Sequence, residues 1–211
     1  MLNQGLLVTF EGGDGAGKST LMSGLYRFLE ERGENVIQTR APGGTSVGEK
    51  IRDLLLHAEK PLSDRCELFL FLADRAQHVK EVIFPALELG KIVLCDRFHD
   101  STIAYQGVAR GLDEDFVRSL CLFASQEKQP DLTFYLDISP KIGLERTLKK
   151  SGEKDRIESE SLSFHEEIRG AFLRIAEKEP ERIRVLDATL SKEKLLQQAI
   201  DQLNDIFFSR R

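Results

Sequence analysis

The sequence predicts an α/β fold in which a five-stranded parallel sheet is flanked by helices. Three observations point there. Short apolar runs alternate with amphipathic helical patterns along the whole chain. The first run opens into a glycine-rich loop, and two later runs, Ile92–Asp96 and Leu132–Asp137, each end on an aspartate.

Gly5–Phe10 is a short apolar run stopped by glycines, the mark of a strand buried on both faces. Lys18–Arg32 follows as a helix, with Leu21, Leu25, Phe28 and Leu29 on one face and Gly33 as its stop. Asn35–Thr39 is the second strand, and Thr45–His57 has helical spacing at Val47, Ile51, Leu54 and Leu55. Ser63–Leu89 is helical, with Pro85 expected to divide it. After the strand Ile92–Asp96, the segment Asp113–Ser125 is a further helix. Beyond Leu132–Asp137, Ser163 and Glu166 form a capping box for a helix whose inner face carries Phe164, Ile168, Phe172 and Ile175. Ile183–Leu186 completes five strands, and Ser191–Phe208 is an amphipathic terminal helix. The polar stretch Lys149–Ser163 breaks the pattern and is either a mobile functional loop or a solvated connection.

Composition excludes several classes. At 211 residues the chain is expected to form a single domain, 1–211. With 41% apolar and 31% charged residues it is globular rather than disordered. It has no run long enough for a membrane helix and no signal-like N-terminus, so a membrane role and export are not expected. Cys66, Cys95 and Cys121 are far apart with no CxxC, which fits reduced thiols and a cytoplasmic location. A net charge of −5 argues against nucleic acid as a partner. The four histidines lack metal spacing; His165-Glu166-Glu167 starts like a zinc motif, but Arg169 stands where the second histidine belongs.

Gly12-Gly13-Asp14-Gly15-Ala16-Gly17-Lys18-Ser19 satisfies GxxxxGK[ST] between a strand and a helix, the phosphate-binding P-loop. Glycines let the backbone wrap phosphates closely, and the helix N-terminus adds N–H donors and a positive dipole end. In this arrangement Lys18 reaches the β- and γ-phosphates of a nucleoside triphosphate, and Ser19 ligates Mg²⁺. Asp96, at the end of a later strand, is the second candidate magnesium residue. A signalling GTPase is excluded: NKxD is absent, and the only DxxG, Asp14–Gly17, lies inside the loop itself. Arg40, Arg52, Arg75 and Arg97 lie near strand ends or on helices following them, the edge where open α/β sheets bind ligands. Such guanidinium forks suit a second phosphate-bearing substrate.

Over nearly its whole length the chain resembles bacterial thymidylate kinases. The matching segments are Phe10–Thr20, Thr39-Arg40 with Pro42–Thr45, Phe71 with Ala73–His78, Asp96-Arg97, Asp100-Ser101 with Ala104–Gly107, Pro130–Leu132, Tyr135–Asp137 and Asp155–Glu158. The resemblance implies transfer of a phosphoryl group from ATP to dTMP with Mg²⁺, on a nucleoside-monophosphate-kinase-like P-loop fold, commonly as a homodimer. A kinase for another nucleoside monophosphate or deoxynucleoside is the neighbouring alternative, and a nucleotide switch without phosphoryl transfer is a third.

Carried over by position, Gly12 to Thr20 hold ATP, and Asp14 meets the acceptor's 3′-hydroxyl region. Arg40, Arg52 and Arg97 lie near the dTMP phosphate, and Phe71 stacks on thymine. Arg75 and Gln106 read the base edge, with Thr102 in place of a serine often found there. Tyr105 stands against the sugar, where it disfavours a 2′-hydroxyl. Lys149–Ser163 becomes part of a lid over ATP, spanning about 146–162.

The resemblance departs from the family pattern twice. Ala41 replaces the glutamate of the usual Arg-Glu-Pro-Gly-Gly. The lid begins Arg146-Thr147-Leu148-Lys149-Lys150-Ser151-Gly152, with lysines where arginines are usual. Arg146 and Lys150 are the favoured groups for stabilising the transferring phosphoryl, with Lys149 and Arg156 as alternatives.

Overall fold

The structure is a computed structural model that describes residues 5–151 and 155–209, without the side chains of 150, 151 and 206–209. Five strands, β1 (Leu6–Glu11), β2 (Val36–Arg40), β3 (Ile92–Asp96), β4 (Leu132–Asp137) and β5 (Ile183–Asp187), form one sheet in the order β2-β3-β1-β4-β5. Every pairing is parallel. Every residue of the central strand β1 is buried, which is why its sequence is apolar on both faces except at the buried Thr9 and Glu11, rather than alternating.

Helices cover both faces. On one side α1 (Lys18–Glu31) and α9 (Lys192–Ser209) pack together, burying Leu21, Leu25, Leu29, Leu195, Ala199 and Leu203 against β1 and β4. The other side holds α6 (Glu114–Ala124) and α8 (Leu162–Lys178), joined in one apolar cluster by Leu68 and Leu72 of α3 (Asp64–His78). Helix α2 (Ser46–His57) packs on α3, and Thr45 caps it by accepting the Gly48 N–H.

The expected helices and strands form, with four differences. Pro85 does not divide the helix after Ser63. A π-helical turn, Val79–Ile83, links α3 to α4 (Phe84–Glu88), and the Phe84 N–H bonds five residues back to Val79. That wider turn absorbs the proline, whose ring would otherwise meet the preceding turn and whose missing N–H leaves a gap in the ladder. The capping box at Ser163 does not form. Ser161 caps α8 by accepting the Phe164 N–H, and Ser163 lies inside the first turn, with its hydroxyl 2.9 Å from that of Ser161.

The third difference is α5 (His99–Thr102), which continues into a second π-helical stretch, Ile103–Ala109. It shows no amphipathic period because nearly all of it is buried, polar residues included, leaving no solvent-exposed face. Finally, α7 (Pro140–Ser151) extends helix through the start of the expected lid. The described residues that follow, 155–160, are turns, where the Asp155 carboxylate accepts the Ile157 and Glu158 N–H groups at 2.8 Å each.

The strand order reverses direction at β1, because β2 lies beyond β3 on one side and β4 lies on the other. The ends of β1 and β3 therefore flank a topological switch point, the crevice where such sheets bind ligands. Register aligns Phe10 and Arg40 with Asp96, so the P-loop, Arg40 and Asp96 emerge at one edge.

Candidate active site

The P-loop leaves β1 at the switch point with Gly12, Gly15 and Gly17 at positive φ (136°, 72° and 100°), conformations that side chains resist. A Cβ at Gly15 would overlap the carbonyl of Gly143, so the loop rests directly on the backbone of α7. The Lys18 ammonium, largely buried, donates to the Gly12 and Gly13 carbonyls at 3.0 Å each. Burial and neighbouring Arg97 lower its pKa, opposed by Asp96, Asp14 and Glu11.

Directly after β3, Arg97 adopts a left-handed backbone (φ 69°), strained for a bulky residue. Its guanidinium donates to Asp14 Oδ1 at 2.7 Å and to Ser101 Oγ at 3.0 Å, and lies 5.2 Å from the centre of the Tyr105 ring. Burial pushes the Asp14 carboxyl up, but Arg97 and Lys18 outweigh it and hold the group below the usual range. Ser19 Oγ donates to Asp96 Oδ2 at 3.2 Å, while Asp96 Oδ1 is buried without a hydrogen-bond partner. A serine hydroxyl beside a carboxylate with an unused oxygen is a hard donor set that fits Mg²⁺. Among the described residues, no group of three or more His, Cys, Asp or Glu side chains gathers to hold a metal.

A cleft of about 1710 Å³ runs from Asp14–Thr20 to Arg40, Arg52, Asp96 and Arg97, with Arg146 also on its wall. Arg52 donates to the Pro42 carbonyl at 3.1 Å, and its pKa is lowered by burial and then by Arg40 and Arg97. A guanidinium held down by two neighbouring cations in this way favours an anionic ligand. The loop beneath them and the end of β2 are clamped from α3: Asp74 Oδ1 accepts the Gly43 N–H at 3.0 Å, and His78 Nε2 is 2.6 Å from Thr39 Oγ1.

The expected base-reading residues are not on the wall of this cleft. Phe71 is half-buried in the cluster that also contains Tyr105, and Thr102 is buried. Arg75 is buried with its guanidinium 4.2 Å from the Phe98 ring centre, and its Nε and Nη1 have no hydrogen-bond partner. Gln106 donates to Glu67 Oε1 at 2.8 Å. Arg146 donates to the Ala188 carbonyl at 3.2 Å. The Lys150 side chain lies outside the described residues.

Two carboxylates at the site carried no separate signal as functional residues. Glu11, fully buried at the end of β1, accepts the Phe98 N–H at 2.7 Å and the Ser101 hydroxyl at 2.5 Å. Burial and the nearby Asp100 push its pKa up to about 7, against Ser101, Arg97 and the Phe98 N–H. A lone glutamate closing an apolar strand was the available clue. Glu67 accepts from Gln106, from Arg110 at 3.2 Å and from Arg156 at 2.5 Å. Its position in an amphipathic helix gave no clue, because its partners come from distant segments.

Comparisons with known proteins agree with this geometry. The profile of the family described as "Thymidylate kinase" matches residues 10–200. The chain is 51% identical to a thymidylate kinase of Protochlamydia amoebophila, covering 96% of this chain and 93% of that one. It is 49% identical to a thymidylate kinase of Desulfovibrio desulfuricans, covering 92% of each. The crystal structure of thymidylate kinase from Ehrlichia chaffeensis superposes with a TM-score of 0.78 at 34% identity, over 95% of this chain and 98% of that one. A P-loop and an arginine cluster facing one cleft, on a sheet shared with that structure, complete the case: the chain belongs to the thymidylate kinase family.

Proposed function

We propose that the chain transfers the γ-phosphoryl group of ATP to dTMP, giving ADP and dTDP. The observation that carries this reading is a single cleft joining the P-loop to Arg40, Arg52 and Arg97. One end suits a triphosphate and the other a second phosphate, which a nucleotide switch does not need. Lys18 and the loop N–H groups hold the β- and γ-phosphates, and Asp14 orients the acceptor sugar and Arg97. Ser19 and Asp96 hold Mg²⁺, which supplies charge neutralisation when bound. The unpartnered Arg75 donors suit a base oxygen, with Gln106, Thr102 and Phe71 completing the base pocket and Tyr105 the sugar wall. Arg146 and Lys150 remain the candidates for charge on the transferring group.

A second copy of the chain is the proposed partner. Adjacent helices α2, α3 and α6 expose Leu54, Phe69, Phe116 and Phe123, a concentration of large apolar side chains that suits a self-associating face. None of the described helices is long and apolar enough to cross a membrane. Three free cysteines fit a reducing, cytoplasmic location.

The test is ADP release measured against dTMP, dUMP, thymidine, AMP and GMP. One methyl group in an apolar pocket contributes about 1–3 kcal/mol, so dUMP should fall roughly ten- to a few-hundred-fold in kcat/KM. Thymidine should fall further, because the contacts to its missing phosphate are unmade. Purine monophosphates should fail by size. Lys18→Ala should abolish turnover with circular dichroism unchanged. AMP or GMP outperforming dTMP would refute the thymidylate reading while leaving the P-loop reading intact.

A further inference from the structure

A carboxylate with no access to solvent is costly to keep unless its acceptors are used, and Glu11 uses both. Oε1 takes the Phe98 N–H, the first peptide after the left-handed Arg97. Oε2 takes the Ser101 hydroxyl, and the Ser101 oxygen in turn accepts from Arg97 Nη1. A guanidinium only donates, so Ser101 must accept from Arg97 and direct its own proton to another acceptor. Glu11 is that acceptor. With Glu11 ionised, the relay has a fixed direction, from Arg97 through Ser101 to Glu11, and the other end of the guanidinium is held by Asp14 at 2.7 Å. Glu11 thus grips both the backbone of the strained turn and the side chain that turn presents to the cleft.

We infer that Glu11 is a positioning residue for phosphoryl transfer, acting through Phe98 and Ser101 to hold the Arg97 guanidinium at the acceptor's phosphate. The inference rests on the reading of Arg97 as an acceptor-phosphate contact. A glutamate that merely anchored the strand end would affect stability and leave acceptor kinetics alone. Glu11→Gln removes the pair of acceptors, because the amide nitrogen meets one of the two donors with a donor of its own.

Steady-state kinetics of Glu11→Gln, Ser101→Ala, Ser101→Thr and Arg97→Ala, each checked for fold by circular dichroism, test this. Glu11→Gln and Ser101→Ala should lower kcat/KM for dTMP roughly 10- to 100-fold and leave KM for ATP within about threefold. Ser101→Thr, which keeps the hydroxyl, should recover most of the loss. In the Arg97→Ala background, Glu11→Gln should cost less than about threefold more, because its effect passes through Arg97. A full multiplicative loss in that background, or unchanged acceptor kinetics in folded Glu11→Gln, would overturn the inference. Should Glu11→Gln not fold, the same cycle with Ser101→Ala decides. Failure of the wild type to turn over dTMP would instead overturn the acceptor reading, and the cycle would then be run with whichever monophosphate is phosphorylated.

Discussion

His78, the last residue of α3, is buried against Thr39 and the loop after β2, and it is neutral for a physical reason. Burial, and secondarily Arg75, push its pKa down to about 4 from an ordinary 6.5, and its Nδ1 has no partner. The unfolded chain therefore takes up the proton first as the pH falls. Stability from this residue is full above about pH 6.5 and is lost progressively as the pH falls through about 4, to at most about 3 kcal/mol. Glu11 acts with the opposite sign. Its folded pKa of about 7 lies above 4.5, so its contribution is full below about pH 4.5 and is lost as the pH rises through about 7. Because the two windows overlap, only a difference isolates His78. Between pH 7.5 and 5.0, urea titrations should show the wild type losing about 2 kcal/mol more than His78→Gln. Parallel curves would refute the assignment.

Among the elements, the most informative join is at Glu67. It ties α3 to the π-helical stretch through Gln106, to Arg110 just beyond it, and to the segment after α7 through Arg156, whose Nε also donates to the Leu55 carbonyl at 2.9 Å. Arg110 continues to Glu160 at 2.6 Å. Burial pushes the Glu67 carboxyl up, but Gln106, Arg156 and Arg110 outweigh it and hold it below the usual range. Losing one partner of a buried ion pair strands the others, so Glu67→Ala should cost about 3 kcal/mol in urea unfolding. Faster amide exchange at 155–160 should accompany that loss, with β1 and β3 amides still protected in the native state. By contrast, the Lys178–Glu114 pair spans 4.0 Å with Lys178 67% exposed, and its removal should cost under about 0.5 kcal/mol. Equal effects at the two sites would contradict the account of Glu67.

At the scale of the molecule, the proposed apolar face on α2, α3 and α6 makes its own prediction. Phe69 and Phe123 are 61% and 80% exposed, which is unfavourable for two large aromatic rings on neighbouring helices unless another surface covers them. In sedimentation velocity, the wild type should run as a dimer at micromolar concentration. Phe69→Glu with Phe123→Glu should shift it to a monomer, because two carboxylates per subunit would have to be desolvated. A wild type that is monomeric throughout would sink this face as an interface.

The five strands, and most of the helices, were legible in the sequence because their signals are local. Parallel strands buried on both faces must be apolar runs, and the P-loop needs glycines where its backbone turns left-handed. The four fold differences have a common origin in context: a proline carried by a π turn, a cap moved from Ser163 to Ser161, a buried helix without a solvent-exposed face, and α7 running on into charged sequence. The cleft residues Lys18, Ser19, Asp14, Asp96, Arg40, Arg52 and Arg97 were likewise named from motif and position. Motif and strand position were enough to name the candidate residues for phosphate chemistry and the sheet edge they share. Only the tertiary structure decided what holds them there. Glu11 meets Ser101 across 90 residues and Glu67 meets Arg156 across 89. Partners at such separation are chosen by strand register and helix packing, which no local pattern encodes.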